Sequence, residues 1–231
     1  MAEIYSSSAA GLYVRLARLL CETDCLTEAL LGQLADLPTG ATIIEIGSGS
    51  GDLAREVLGR FSFNYVAIEP SPEMVQHMPA QLVSDTRFTL IQEPFEKYLG
   101  EAGSAHAVIS RYVIHDYPDD AAAWYGKIRD LLVPGGIFFN LDLALADNPQ
   151  DTAENMDRIV QIATNLEVNS ADEERAKDDL VEHLKHEIKQ YMQVSRHLNQ
   201  LRQVGLEPML IGREENNYLI KAGKPVSPEV R

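Results

Sequence analysis

The stretch IIEIGSGSGD (residues 43–52) places three isoleucines and an acid directly before glycines at 47, 49 and 51. The β-branched run favours an extended strand. Glycines at alternate positions let the backbone turn sharply and approach a ligand with no Cβ in the way. Asp52 then opens a helical segment. A dinucleotide fingerprint requires a small residue at position 52. An aspartate there would face the pyrophosphate across the positive helix N-terminus and repel it. No GxxxxGK[ST] phosphate loop occurs anywhere in the chain. The strand-turn-helix unit therefore points to a nucleoside ligand without phosphates.

Outward from this unit, strand-like and helix-like segments alternate. ATIIEI (41–46), NYVAIE (64–69), RFTLI (87–91), AHAVIS (105–110) and IFFNLDL (137–143) read as strands. Residues 52–60, 71–77 and 119–132 read as helices, the last closed by Pro134-Gly135-Gly136. A helix capped by Ser195 and ended by Gly205 leads into two closely connected strands, LEPMLIG and NNYLIKAG. This alternation predicts an α/β fold with a Rossmann-like, doubly wound, mostly parallel seven-stranded sheet. The short, continuously apolar strands suit a sheet covered on both faces.

Leu12, Val14, Leu16, Leu19 and Leu20, then Leu26, Leu30, Leu31 and Leu34, predict two helices ahead of the sheet. Residues 146–194 are polar and acidic, yet Met156, Ile159, Val160, Ile162, Ala163 and Leu166 keep a helical period, which predicts a helical insert. The expected organisation is one domain. It comprises N-terminal helices (1–40), a core (41–145), the insert (146–194) and a last helix with two strands (195–222), before a frayed tail, KPVSPEVR.

A chain of 231 residues suits one α/β core, and 45% hydrophobic with 24% charged residues excludes wholesale disorder. Twenty Lys and Arg against 35 Asp and Glu give a formal charge of −15. With no basic cluster, nucleic acid and anionic membrane surfaces are excluded as main partners. No segment approaches the roughly 18 uncharged apolar residues of a membrane span, and the N-terminal stretch carries an early acid and two arginines, unlike a signal peptide. Cys21 and Cys25, spaced CxxxC, lack redox or zinc spacing and read as small core-facing residues. A reducing cytoplasm is the expected compartment.

Glu45, the GxGxG turn and an acid closing the second strand, Glu69 in YVAIEPSPEM, together resemble the class I S-adenosylmethionine (SAM) methyltransferases. The resemblance implies that Glu69 accepts hydrogen bonds from both ribose hydroxyls. It implies that Gly47, Gly49 and Gly51 pack against the methionine part of SAM, with Glu45 at its methionine end and Asp52 beside it. A cationic sulfonium also suits an acidic pocket. LIQEPFEKY matches the segment that reads adenine, through an acid and a following backbone N–H. If Glu93 is the acid, Pro94 has no N–H to donate. Then Phe95 supplies it, or Gln92 is the reader and Glu93 donates. VISRYVIHDYPDD matches the fourth strand's end, with Ser110 and Arg111 on the methionine side and His115 at the reaction chamber. LLVPGGIFF matches the turn before the fifth strand, and the final strand pair matches the family's antiparallel hairpin. The resemblance covers about 41–145 and 195–222.

By that resemblance the chain is an enzyme that moves a methyl group from SAM to an O, N or C nucleophile of a small-molecule metabolite or natural-product intermediate. A base is needed only where the acceptor sheds a proton. His115 is the candidate base, or else it shapes the pocket; Asp116 orients it or serves as a turn residue. Tyr112 and Tyr117 form the chamber wall or pack inside, and Trp124 is core or interface. By analogy with lid-bearing relatives, Tyr5, Tyr13, His183, His186, Tyr191 and Arg196 are candidates for substrate contact. His183, His186 and Glu187 have no partner motif, so no metal site is expected. The fourth-strand end lacks [DN]PPY, and Asp142 lacks the Asp-Asn neighbours of a metal-dependent catechol-type enzyme and reads as a strand-end residue. Alternatives are carboxy-SAM formation, with Arg111 or Arg196 holding the extra carboxylate, a non-catalytic SAM-binding partner, an NAD-dependent oxidoreductase and an interaction module. A homodimer stays open.

Overall fold

The computed structural model describes residues 7–21, 25–145, 149–187, 191–214 and 216–226. Seven strands form one sheet: β1 (Thr42–Ile46), β2 (Asn64–Ile68), β3 (Phe88–Ile91), β4 (Ala105–Arg111), β5 (Leu132–Leu143), β6 (Glu207–Glu214) and β7 (Asn217–Gly223). Their order is β3-β2-β1-β4-β5-β7-β6. All pairings are parallel except β5 with β7 and β7 with β6, so the predicted doubly wound sheet ends in an antiparallel hairpin. The winding reverses between β1 and β4, and the carboxyl ends of strands on either side of such a switch point leave a crevice for ligands.

Helices cover both faces of the central strands, which is why β1, β4 and the second half of β5 are largely apolar. On one face Ile44, Ile46, Val108, Phe138 and Ile220 pack with Trp124, Tyr125 and Ile128 of α6 (Ala121–Leu131) and Leu201 of α9 (Val194–Gln203). On the other, Ile43, Ala67, Ile109 and Phe139 meet Leu30 and Leu34 of α2 (Cys25–Leu34) and Leu53 and Val57 of α3 (Asp52–Arg60).

A third core, built from helices, meets the sheet at Leu143 of β5. Leu12 and Leu16 of α1 (Ser7–Cys21) pack with Ile159 and Ala163 of α7 (Pro149–Thr164) and Leu180 and Leu184 of α8 (Ala171–Glu187). The offset stripe of α1, Ala10 and Val14, rests on Met74. One amphipathic helix thus ties the predicted insert to the core.

Four expectations change. The helix expected over 71–77 is two short ones, α4 (Pro72–Val75) and α5 (Ala80–Val83). Pro79 disfavours helical backbone at the residue before it and breaks the run. The Pro134-Gly135-Gly136 turn lies inside β5 as a bulge, between the pairs Ala105–Leu132 and Ala107–Ile137. Ser195 sits within α9, and Gln193 caps it. Cys25 is exposed, its Sγ 3.2 Å from Glu214 Oε2, so it is not a core residue. Among the described residues no helix is long and apolar enough to cross a membrane.

Candidate active site

At the carboxyl ends of β1, β2 and β4 a cleft of about 1070 Å³ opens. That is ample for a nucleoside and a second small molecule. Glu69 follows β2 and is 6% exposed. Its Oε2 accepts the Gly49 N–H at 2.8 Å and its Oε1 the Ser71 N–H at 2.9 Å. Burial raises the pKa of this carboxyl, and the two amide bonds only partly offset the shift. The glycine loop and the β2 acid are therefore one unit, because the loop's amide holds the acid in place.

Glu45, on the neighbouring strand, is buried, and the Tyr65 hydroxyl donates to its Oε2 at 2.9 Å. Burial pushes the Glu45 carboxyl up to about 7 against the pull of Arg111 and Tyr65, and the charges of Glu69 and Asp52 add to the rise. At Gly47 φ is +67°, and a Cβ would lie 2.4 Å from Val113 Cγ2, so only glycine fits between β1 and the segment after β4. Gly51 differs from expectation. It does not line the cleft, and a Cβ there would meet Leu82 of α5 at 2.6 Å, so it serves helix packing.

The region containing these features, residues 43–136, matches the family model described as a methyltransferase domain. That stretch, about two fifths of the chain, is similar to a methyltransferase domain. Solved structures share the fold of the whole domain. A Methanococcus maripaludis protein assigned as an S-adenosyl-L-methionine-dependent methyltransferase is 20% identical, with 98% of this chain and 97% of that chain covered and a TM-score of 0.62. The cyclopropane synthase MmaA2 of Mycobacterium tuberculosis is 17% identical over 81% of this chain and 61% of that one, with a TM-score of 0.57. The Haemonchus contortus phosphoethanolamine N-methyltransferase 2, solved with phosphomonomethylethanolamine and S-adenosylhomocysteine, is 19% identical over 87% and 52%, with a TM-score of 0.52. This chain thus spans about half to three fifths of the two named enzymes. Among curated proteins, none matches the sequence.

The described cleft walls carry eight acids (Glu28, Glu45, Asp52, Glu56, Glu69, Glu73, Glu96, Asp116) and two arginines, Arg55 and Arg111. Sequence reading missed Ser48 and Ser50 in the glycine loop; the Ser50 hydroxyl donates to Asp52 Oδ2 at 2.7 Å. Pro94 and Phe95 line the cleft, whereas Glu93 and the exposed Gln92 do not. An aromatic wall stands behind Phe95. Trp124 meets it edge-on at 5.2 Å and lies 4.5 Å from Tyr117, so Trp124 is a cleft residue as well as a core one. The Tyr117 hydroxyl is pushed up to about 12, first by burial and then by Asp116 and other acids.

At the end of β4, Arg111 and Tyr112 line the cleft. Tyr112 has φ +56° and is the one non-glycine among the described residues with positive φ. Backbone strain of this kind collects at functional sites. Ser110 lies inside the core, fully buried, and does not reach the cleft.

His115 is 4% exposed and stands one layer behind the cleft wall. Its Nδ1 is 2.5 Å from Asp142 Oδ1, and its backbone N–H donates to Asp142 Oδ2 at 3.1 Å. Its Nε2 is 3.4 Å from Oδ1 of Asp116, which does line the cleft. The expected roles shift accordingly. Asp142, read as a strand-end residue, is the acid that holds the imidazole, and Asp116 is the group in front of it. The signal in the sequence was IFFNLDL, where Asn140 and Asp142 alternate onto the same face as Phe138.

Of the lid candidates, Tyr13 lines the cleft. Tyr191 is buried against His115, with ring centroids 5.1 Å apart, and Arg196 is exposed on α9; neither lines the cleft. His183 is half-buried on α8. Tyr5 and the side chain of His186 lie outside the described residues.

Proposed function

We propose that the chain is a SAM-dependent methyltransferase acting on an O, N or C nucleophile of a small-molecule metabolite or natural-product intermediate. The observation that carries this reading is the buried Glu69 carboxylate at the β2 terminus, clamped by the Gly49 and Ser71 amides at the mouth of an acidic cleft. A carboxylate fixed there accepts hydrogen bonds from a ribose diol. The eight acids of the cleft walls, Glu69 among them, favour a cation and disfavour a pyrophosphate. When bound, SAM supplies an activated methyl group on a positively charged sulfur.

The chain's own contribution is mostly position, because a displacement of this kind needs the acceptor held in line at close range. Arg111, on the cleft wall, suits the methionine carboxylate. Asp116 faces the acceptor and takes up a proton that the acceptor sheds. His115, held by Asp142, stands behind it to share that proton. A small acceptor is also what the Haemonchus contortus relative holds beside its cofactor product.

Isothermal titration with SAM and with NAD tests the cofactor. Saturable SAM binding with none for NAD is expected, and the reverse overturns the reading. Incubation with methyl-labelled SAM and a metabolite extract from the source organism then identifies the acceptor, and label transferred only to macromolecules would remove the small-molecule assignment. His115→Ala is expected to lower turnover more than SAM affinity. Unchanged turnover would leave His115 with a packing role alone.

A further inference from the structure

Lys127, on α6, lies one helical turn beyond Trp124 and is half-buried. Its Nζ donates to the Phe95 carbonyl oxygen and, at 3.1 Å, to the Glu96 carbonyl oxygen. The same ammonium sits 4.6 Å from the centroid of the Phe95 ring. One cation therefore holds both the backbone and the side chain of the turn after β3. Burial lowers the pKa of this ammonium, and the nearby Glu96 and Glu93 oppose that shift. Lys127 itself does not line the cleft.

A trans peptide carries its C=O and N–H on opposite sides. With the Phe95 carbonyl turned toward Lys127, the Glu96 N–H is turned away from α6. Glu96 lines the cleft, and among the described residues its N–H donates to no backbone or side-chain acceptor. Pro94, the residue that follows the acid in one of the two sequence registers, has no N–H at all. A purine base on this side of the cleft needs a donor toward a ring nitrogen.

We propose that Lys127 is the positioning residue for nucleobase recognition: it clamps the Phe95–Glu96 peptide so that the Glu96 amide, in place of the one proline lacks at 94, faces the adenine. The inference rests on the SAM reading given above. It assigns to a lysine outside every recognised motif the preorganisation that an unclamped turn would have to acquire on binding.

The experiment compares wild type, Lys127→Met and Lys127→Arg for binding of S-adenosylhomocysteine and of S-inosylhomocysteine, which differs only in the base. Trp124, the only tryptophan in the chain and a cleft residue, provides the fluorescence signal, with isothermal titration beside it. Lys127→Met is expected to bind S-adenosylhomocysteine about tenfold more weakly, as loss of a charged hydrogen-bond donor implies. Its preference for the adenine over the hypoxanthine ligand is expected to shrink. Lys127→Arg keeps donors and charge and is expected to restore most of both. In steady state with SAM the loss appears in KM, with kcat little changed. Equal weakening for the two nucleosides, or wild-type affinity in Lys127→Met, overturns the positioning role while SAM binding stands. Absence of saturable binding by the wild type overturns the cofactor reading and this inference with it.

Discussion

The two halves of the sheet's carboxyl edge both hold buried acids and handle them differently. In the β1–β2 half, Glu45 and Glu69 stand at strand ends, open on one side to a cleft, and are held by a phenol and by backbone amides. In the β4–β5–β7 half, Asp142 is fully buried and is satisfied by His115 and by the Leu143 N–H at 2.9 Å. Around it lies a polar layer. Asn140 donates to the Tyr218 hydroxyl at 2.6 Å, and the Tyr125 hydroxyl is 2.5 Å from Nδ1 of His197. Ser110 Oγ, Asn140 Oδ1 and His197 Nε2 have no hydrogen-bond partner among the described residues. One half leaves its acids on a cleft wall, and the other buries its acid behind that wall, where it holds His115. Position in the cleft, and not charge or burial, separates the two roles.

The largest effect that tests this contrast is on stability. Asp142→Ala removes the acceptor of His115 Nδ1 and of the His115 and Leu143 backbone amides in the core, and a loss of roughly 3–5 kcal/mol is expected by chemical denaturation. Asp52, on the cleft side, accepts from Ser50 and forms a 3.6 Å ion pair with the exposed Arg55, so Asp52→Ala should cost about 1 kcal/mol. Equal losses would erase the distinction between an architectural and a ligand-facing acid.

Next comes a binding effect with little change in stability. Glu69→Ala removes an acceptor for two ribose hydroxyls, and SAM affinity is expected to fall about a hundredfold, as two hydrogen bonds to a charged group imply. A thermal melt close to wild type would show that the fold survives. Wild-type affinity would show that the sugar lies elsewhere.

The same contrast explains what could be read from the residues alone. The β1–β2 half was legible because its contacts are local: GxGxG and Glu69 lie within one strand-turn-helix-strand unit, and Gly49 and Glu69 meet directly. The hairpin end of the sheet was legible because strand periodicity survives without knowledge of partners. The Asp142–His115 pair joins residues 27 positions apart through β4–β5 pairing, and no spacing rule within one element announces it. Tyr191 read as a substrate contact because its neighbour was unknown; it packs on His115 instead. Gly51 read as a ligand contact because loop glycines serve two purposes, and only the position of Leu82 distinguishes them.

A smaller effect separates the sheet from the α1, α7 and α8 layer. Leu16 is 2% exposed in the third core, which meets the sheet at Leu143, the last residue of β5. Leu16→Ala is expected to lower local stability by roughly 2 kcal/mol, seen as faster amide exchange in α1, α7 and α8. Protection in β1 and β4 should stay near wild type. Loss of protection across the whole sheet would mean that the layer and the sheet unfold as one unit.

The smallest expected effect is a near cancellation between the two halves. Glu45 has its carboxyl raised from 4.5 to about 7, so it binds more protons folded than unfolded; its stabilisation is complete below pH 4.5 and is lost as pH rises through about 7. His197 has its imidazole lowered from 6.5 to about 4, chiefly by burial, so its stabilisation is complete above pH 6.5 and is lost as pH falls through about 4. Each amounts to roughly 3 kcal/mol at its full extent, and over pH 4.5–6.5 the slopes oppose each other. Wild-type stability measured by denaturation should therefore change little across that window. Glu45→Gln removes the falling contribution, and stability should then rise with pH through the same range; His197→Gln should make it fall. If Glu45→Gln keeps the flat profile, the carboxyl beside the glycine loop is ionised like an ordinary surface acid, and its burial beneath the ligand site has no electrostatic consequence.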